Sequence, residues 1–99
     1  MSKGYVVVNV KVKDTDHYPE YARLAHDTVA KYGGRYLVRG ATPVIVEGAP
    51  KLERFVILEF PSLEQARRWY DSDEYRPVRE LRFKWADSEL FMIEGHEKA

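Results

Sequence analysis

The sequence contains no cysteine among its 99 residues. It therefore has no disulfide framework, no thiolate nucleophile and no cysteine-ligated metal. Neither sign of charge is in excess, because sixteen Lys and Arg balance sixteen Asp and Glu, and no overall field favours nucleic acid or an anionic membrane. No apolar stretch approaches the ~20 residues of a membrane span, and Met1-Ser2-Lys3-Gly4 lacks a signal-type apolar run. We therefore expect a cytoplasmic protein that binds neither nucleic acid nor membrane.

Metal and cofactor motifs are also missing. His17 and His26 are nine positions apart on one predicted helix, which places them on opposite faces at 100° per residue. We find no HExxH motif and no glycine-rich phosphate loop, so the sequence predicts neither a metal site nor a cofactor. His17 could face the mouth of a pocket, although a solvated histidine near a helix start is the more frequent arrangement.

The length predicts a single domain over residues 1–99. A chain of this size buries only about 60–65% of the surface that it exposes when unfolded, so a subunit partner would add stability. Thirteen aromatic residues are more than so small a core needs, which leaves some for an interface or a pocket. A net charge of zero does nothing to discourage self-association.

Hydrophobic periodicity predicts an α+β fold. The predicted elements are a strand at 5–13, a helix at 16–32, strands at 35–40, 44–47 and 54–60, a helical region at 62–85 interrupted at 71–73, and a strand at 88–94. We interpret 44–47 and 54–60 as a hairpin across the turn residues 48–51. The order is β-α-β-β-α-β, typical of a ferredoxin-like domain with a four-stranded antiparallel sheet and both helices on one face.

The face of the sheet opposite the helices should remain apolar. In the first strand, every second residue from position 6 to position 12 is a valine that faces the helices, whereas Tyr5 and Val7 fall on the other side. Further apolar residues of the strand at 54–60 add to this patch, which is large for a monomer. We therefore expect a homodimer in which two sheets pack face to face.

The stretch Tyr32–Gly40 ends the helix, makes a turn and begins the second strand. Gly33 and Gly34 are what a helix-to-strand turn requires, and Gly40-Ala41 suggests a bulge. Strict alternation places Arg39 on one strand face with Leu37. Arg39 could reach solvent at the sheet edge, pair with an acid such as Glu59, or bind an anionic ligand.

Several aromatic residues should converge between the helices and the sheet. They could be core and interface residues, or they could line a small-molecule pocket. The set is Tyr18, Tyr21, Trp69, Tyr70 and Tyr75. Asn9, at the polar end of the first strand, could orient a carbonyl or pair across an interface. The candidate binding residues are Arg39, Tyr21, Trp69, Tyr75, Asn9 and His17, and no catalytic residue can be named.

The chain also resembles a known family, the bacterial domain-of-unknown-function family numbered 1330. The residues that carry the resemblance are Tyr18 with Tyr21, the stretch 32–40, Val46-Glu47-Gly48, Arg54, residues 59–62, Ala66, Trp69-Tyr70 with Ser72, Glu74-Tyr75, and Glu94-Gly95. The resemblance implies a dimeric α+β barrel, with a ferredoxin-like subunit and a face-to-face dimer, and no established activity. Where the family often has two glycines, Gly40 is followed here by Ala41.

Relatives in the wider superfamily include cofactor-independent monooxygenases, haem-degrading enzymes and muconolactone-type isomerases, but the sequence has no motif of these. The first hypothesis is thus a small dimeric protein without known activity that could bind a small molecule. The alternative is a cofactor-independent enzyme, of monooxygenase or isomerase type, acting on a small anionic or aromatic metabolite. A third is a module that binds a partner at the open sheet edge.

Overall fold

The computed structural model describes residues 2–97. Its elements are β1 (Gly4–Val12), α1 (Tyr18–Lys31), β2 (Arg35–Ala41), β3 (Arg54–Phe60), α2 (Leu63–Tyr70), α3 (Tyr75–Trp85) and β4 (Ala86–Glu94). The four strands form one antiparallel sheet in the order β2-β3-β1-β4. The predicted ferredoxin-like α+β architecture is therefore confirmed, with the second helical region divided into α2 and α3.

Serine side chains define the starts of α2 and α3. The Ser62 hydroxyl accepts a hydrogen bond from the Gln65 backbone N–H at 3.0 Å, which satisfies one of the unpaired donors of the first turn. The Ser72 hydroxyl accepts from the Tyr75 backbone N–H at 3.0 Å and donates to the Trp69 carbonyl at 2.7 Å. Ser72 thus links the end of α2 to the start of α3, within the interruption that the sequence predicts at 71–73.

The core lies between the helices and one face of the sheet. Val6, Val8 and Val10 of β1 are buried on this face, and Phe60 and Trp69 pack with their ring centroids 5.4 Å apart. On the opposite face the residues are half-buried or exposed. The alternation that the β1 valines predicted is confirmed, because a strand presents successive side chains to opposite faces.

The predicted hairpin between 44–47 and 54–60 is wrong. Residues 42–53 contain no strand, and β3 pairs with β2 instead. Pro43 and Pro50 flank the segment and have no N–H to donate to a strand ladder. The β-branched side chains of Val44, Ile45 and Val46 are typical of a strand, but these residues are exposed on a loop.

Two irregularities in β2 decide where its side chains lie. Tyr36 pairs with Leu58, Val38 with Ile57, and Arg39 with Val56, so Leu37 is an extra residue in the ladder. The extra residue moves Arg39 to the helix-facing side together with Tyr36, whereas strict alternation predicted that it shares a face with Leu37. A second irregularity falls at Gly40, where φ is +89°, in agreement with the predicted bulge.

Candidate functional site

A cavity of about 300 Å³ lies between α1, α3 and the helix-facing side of the sheet. Aliphatic residues of β1 and β3 form its floor, and aromatic side chains of the helices form its walls. No acidic residue from the described part of the chain lines it. Its size and apolar lining fall within the range of small-molecule sites.

Three arginines from three different elements line this cavity: Arg39 of β2, Arg54 of β3 and Arg82 of α3. Arg82 is only 3% exposed, whereas Arg39 and Arg54 are exposed at the mouth. Among residues 2–97, no carboxylate forms an ion pair with any of the three. The walls of the cavity are therefore apolar, and the three arginines give it a positive charge that no carboxylate compensates.

Arg82 lies on the buried side of α3, together with Tyr75 and Val78 at helical spacing. This position directs Arg82 to the cavity. Its Nη1 donates to the Ser88 hydroxyl on β4 at 2.7 Å. Its Nε is buried and has no hydrogen-bond partner. A guanidinium carries five N–H donors, so Arg82 keeps unused donors beside the cavity.

Two tyrosine hydroxyls meet beside Arg82. The Tyr21 and Tyr75 hydroxyl oxygens are 2.7 Å apart and buried. Burial raises the pKa of the Tyr21 phenol well above its ordinary value, and burial likewise raises the pKa of Tyr75, although the charge of Arg82 acts against this rise. Both tyrosines are thus uncharged near neutral pH and do not neutralise Arg82.

Trp69 closes the apolar side of the cavity. Its ring lies 4.1 Å from that of Tyr75, centroid to centroid. Its Nε1 donates to the Thr28 hydroxyl at 3.0 Å, and that hydroxyl donates in turn to the Ala25 carbonyl at 2.8 Å. The indole is therefore held in one orientation by α1.

At the mouth, Arg39 is positioned by two rings, neither of which is a carboxylate. Its Nη1 donates to Nδ1 of His26 at 3.2 Å, since arginine has no acceptor. Its guanidinium also lies 4.4 Å from the centroid of the Tyr36 ring, on which His26 stacks at 5.7 Å. Burial raises the pKa of Tyr36 to about 12, so this ring too is uncharged and leaves Arg39 without a counter-charge.

The structure brings together four of the six candidate residues named from the sequence: Arg39, Tyr21, Trp69 and Tyr75 all line the cavity. Asn9 lies on the opposite face of the sheet, where its amide donates to the Lys51 carbonyl at 3.1 Å. Its oxygen accepts the Glu53 backbone N–H at 2.9 Å. Asn9 therefore anchors the 42–53 loop and does not contribute to the cavity.

His17 also lies outside the cavity. Its ring stacks on Trp85 at 5.5 Å, and its Nδ1 is 2.8 Å from Asp14 Oδ2. The suggested ion pair between Arg39 and Glu59 is not formed, because Glu59 pairs with Arg35 at 2.8 Å. The bulge at Leu37 separates Arg35 and Arg39 onto opposite faces, and so it explains this difference.

Arg54 and Arg82 are the cavity residues that sequence reasoning missed. Arg82 lies seven residues after Tyr75 on the buried stripe of α3, and an arginine at such a position was the available signal. Arg54 alternates with Val56 and Leu58 on β3, which places all three on the helix-facing side. No pattern in the sequence shows that arginines of β2, β3 and α3 converge.

Residues 2–97 lack two other kinds of site or segment. No group of three or more His, Cys, Asp or Glu side chains is arranged to hold a metal ion. None of the helices in this range is long and apolar enough to cross a membrane.

The fold and the cavity together define a ferredoxin-like α+β protein with a pocket between helices and sheet. The chain belongs to the family Domain of unknown function (DUF1330), which it matches over residues 3–96. The resemblance seen in the sequence is therefore confirmed. A comparison with curated proteins gives no match.

Solved structures share the fold at low sequence identity. A protein of unknown function from Rhodopseudomonas palustris is 17% identical, with a TM-score of 0.75 over 98% of this chain and 85% of that one. SnoaB from Streptomyces nogalater, a cofactor-independent oxygenase, is 13% identical, with a TM-score of 0.68 over 99% and 97% of the two chains. A dimeric ferredoxin-like protein of unknown function from Thermobifida fusca is 10% identical, with a TM-score of 0.53 over 93% and 90%. At these identities the likeness extends to the fold alone.

Proposed function

We propose that this protein binds a small organic anion with an apolar or aromatic body in the cavity between the helices and the sheet. One observation carries the proposal: Arg82 is buried in an aromatic cavity without an acidic partner and with an unused Nε donor. A buried charge without a partner is costly to the fold. A ligand carboxylate would compensate it through charge-assisted, bidentate hydrogen bonds.

The rest of the cavity supports the same kind of ligand. The valines of β1 and the ring of Trp69 would contact an apolar body, and the uncharged Tyr75 hydroxyl can donate to an anionic oxygen. Since no acidic residue of the described chain lines the cavity, an anion meets no repulsion there.

The test is ligand-induced thermal stabilisation with aromatic carboxylates and their neutral amides. Carboxylates should raise the melting temperature and amides should not. The shift should disappear in Arg82→Met, which keeps much of the volume without the charge, and persist in Arg79→Met. Arg79 lies on the same helix outside the cavity and donates to the Tyr70 carbonyl. Circular dichroism checks that each variant folds. Amides as effective as acids, or a shift that survives Arg82→Met, would contradict the proposal.

A second candidate function is a cofactor-independent enzyme of isomerase or monooxygenase type, acting on a small anionic or aromatic metabolite. The observation that favours it is the Tyr21–Tyr75 hydroxyl pair next to Arg82. In an isomerisation, one carbon of the substrate would lose a proton to water that enters through the mouth, and another carbon would regain a proton from water. Arg82 and the Tyr75 hydroxyl would stabilise the enolate oxygen that forms in between.

Proton exchange distinguishes this enzyme from a binding protein. A carboxylate that stabilises the protein is incubated with it in D₂O, and the ligand C–H signals are followed by NMR. Enzymatic proton abstraction predicts their loss at a rate that falls in Tyr75→Phe. Unchanged C–H signals for every stabilising carboxylate would leave the protein as a binding module.

We further propose that the protein is a homodimer of single-domain subunits in the bacterial cytoplasm, with the open sheet faces packed together. Phe91 and Ile93 of β4 are 53% and 55% exposed on that face. On the 42–53 loop, Val44 and Val46 are more exposed still. Apolar surface of this kind is typical of an interface, and the similar Thermobifida fusca protein is described as dimeric.

Light scattering tests the homodimer. The wild type should have twice the mass of the 11.6 kDa chain, and Phe91→Glu should shift it towards the monomer. Phe83→Glu is the matched control, since Phe83 is similarly exposed but lies on α3, in the helix layer. A wild type that remains at 11.6 kDa at micromolar concentration would overturn this part of the proposal.

A further inference from the structure

We infer that the ligand carries two acidic groups on one apolar body, the first bound by Arg82 inside the cavity and the second by Arg39 and Arg54 at its mouth. This inference rests on the proposed function and specifies its ligand class. It follows from the positions of the three arginines, their state of pairing and the size of the cavity.

The sheet register separates the arginines into two sites. Val10 of β1 pairs with Arg54 on one side and with Ser88, the partner of Arg82, on the other. Neighbouring strands are about 4.8 Å apart, so the backbones of Arg54 and Ser88 are about 10 Å apart across β1. Arg54 and Arg82 therefore approach the cavity from opposite sides of the same strand.

Arg39 belongs to the side of Arg54. It pairs with Val56, which lies two residues from Arg54 on the same face of β3. Such diagonal neighbours are about 7–8 Å apart, within reach of long side chains. The two guanidinium groups at the mouth can therefore bind one anionic group together.

Arg39 is positioned at the mouth without any acid. His26 and Tyr36 hold Arg39 at the cavity, and both contacts leave its charge uncompensated. Elsewhere on the surface, arginines are paired: Arg23 with Glu20, Arg35 with Glu59, and Arg68 with Glu64. Among the exposed arginines of residues 2–97, Arg39 and Arg54 are thus the two without an ion pair to a carboxylate. The half-buried Arg79 also has no acidic partner, but it lies outside the cavity and donates to the Tyr70 carbonyl.

A monoacid would compensate Arg82 and leave the mouth site empty. A diacid would fill both sites while its apolar body contacts the valines of β1. A cavity of about 300 Å³ is at the lower end of the range for ligand sites, which fits a compound with one or two rings.

The experiment is calorimetric titration with a matched series: benzoate, the three benzenedicarboxylates, and the mono-amide of each dicarboxylate. The mono-amide keeps the shape and loses one charge. At least one dicarboxylate should bind about tenfold or more tighter than both benzoate and its own mono-amide. Its affinity should also fall more steeply with added salt, since it neutralises more charge.

Variants assign the second acidic group to the mouth. In the double variant Arg39→Gln/Arg54→Gln, the advantage of the dicarboxylate should disappear, so that it binds this variant no more tightly than benzoate does. Arg35→Gln is the control, because Arg35 is an exposed arginine of the same β2 strand on the opposite face. The Arg35→Gln variant should still bind the dicarboxylate more tightly than benzoate.

The outcomes separate the two claims. If benzoate binds in an Arg82-dependent way and no dicarboxylate binds more tightly, the inference is overturned and the proposed function stands. A mono-amide that binds as tightly as its dicarboxylate, or an advantage that survives in the double variant, also overturns the inference alone. If no carboxylate in the series binds, both the inference and the proposed function fail.

Discussion

The hydroxyl oxygens of Tyr21 and Tyr75 lie 2.7 Å apart, although the residues are 54 positions apart in the chain. The contact joins α1 to α3 at the point where both line the cavity beside Arg82. Each hydroxyl is buried, and a buried hydroxyl without a partner destabilises the fold. The same pair therefore stabilises the packing of two helices and supplies polar groups to the candidate site.

Replacing one member of this pair should destabilise the protein. Tyr75→Phe removes the partner of the Tyr21 hydroxyl and a polar neighbour of Arg82. We expect the free energy of unfolding to fall by about 1–3 kcal/mol, measured by urea denaturation. Because the phenyl ring is kept, the contact with Trp69 should remain. An unchanged free energy of unfolding would contradict the assigned hydrogen bond.

The double variant Tyr21→Phe/Tyr75→Phe should lose less stability than the sum of the two single variants. Removing both hydroxyls leaves neither of them unpaired, whereas each single variant leaves one. A double-mutant cycle measures this coupling, which should exceed about 0.5 kcal/mol. Additive effects would show that the two hydroxyls do not depend on each other.

Thr28 offers a second test of the packing around the cavity. Its hydroxyl accepts from Trp69 Nε1 and donates to the Ala25 carbonyl. Thr28→Val keeps the shape but leaves the indole N–H unpaired, and we expect a loss of about 1–3 kcal/mol in the free energy of unfolding. Thr28→Ser keeps the hydroxyl and is the control. A valine variant that is no less stable than the serine variant would contradict this role.

Much of the fold could be predicted because its signals are local. The alternating valines of β1 and the caps at Ser62 and Ser72 each depend on residues close in sequence. The sequence predicts a strand at 44–47 because Val44, Ile45 and Val46 have β-branched side chains. Their exposure in the 42–53 loop depends on strand pairing, which the sequence does not show.

The candidate site was only partly predictable, for two physical reasons. First, the extra residue at Leu37 reverses the face on which Arg39 lies, and no local pattern distinguishes this bulge from regular alternation. Second, Arg82 gains its importance from what it lacks, namely an acidic partner within reach. The lack of a partner depends on the packing of distant elements, so only the three-dimensional structure reveals it.

Gly34 is a case in which the structure changes the explanation. The sequence predicts that Gly34 serves the turn, but only Gly33 has a positive φ there, at +80°. A Cβ at position 34 would lie 2.6 Å from a ring carbon of Phe60 and 2.9 Å from a methyl carbon of Val29. Gly34 is therefore required by close packing against the core.

Gly34→Ala should consequently lower the free energy of unfolding by about 1–3 kcal/mol, as overpacking does. The mechanism is tested by a second change that makes room, Phe60→Leu, since the double variant should lose less than the sum of the single losses. Gly40→Ala is the control, because a Cβ there meets no atom within 4 Å and the cost arises from its φ of +89°. Its effect should add to that of Phe60→Leu. If Gly34→Ala and Gly40→Ala were equally additive with Phe60→Leu, the packing explanation would be contradicted.

The hydrogen bonds of the Glu74 carboxylate should make the stability of the folded protein depend on pH. Its carboxylate accepts hydrogen bonds from Lys31 Nζ and, at 2.7 Å, from the Tyr32 hydroxyl. These bonds lower its pKa to about 2 from an ordinary value of 4.5. The folded protein thus holds fewer protons at this site than the unfolded chain, and the stabilisation is present above the unfolded pKa and lost as pH falls towards the folded one.

Glu74→Gln should therefore be less stable than the wild type at pH 7, and the difference in melting temperature should narrow as pH falls from about 5 to about 2. The reason is that a protonated Glu74 has lost the charge that glutamine also lacks. Asp73→Asn, which removes a neighbouring exposed carboxylate paired with Arg76, controls for the loss of one negative charge before α3. Thermal unfolding of the three proteins across this pH range is the measurement. A difference between wild type and Glu74→Gln that stays constant down to pH 2 would show that the links to Lys31 and Tyr32 do not depend on the charge of Glu74.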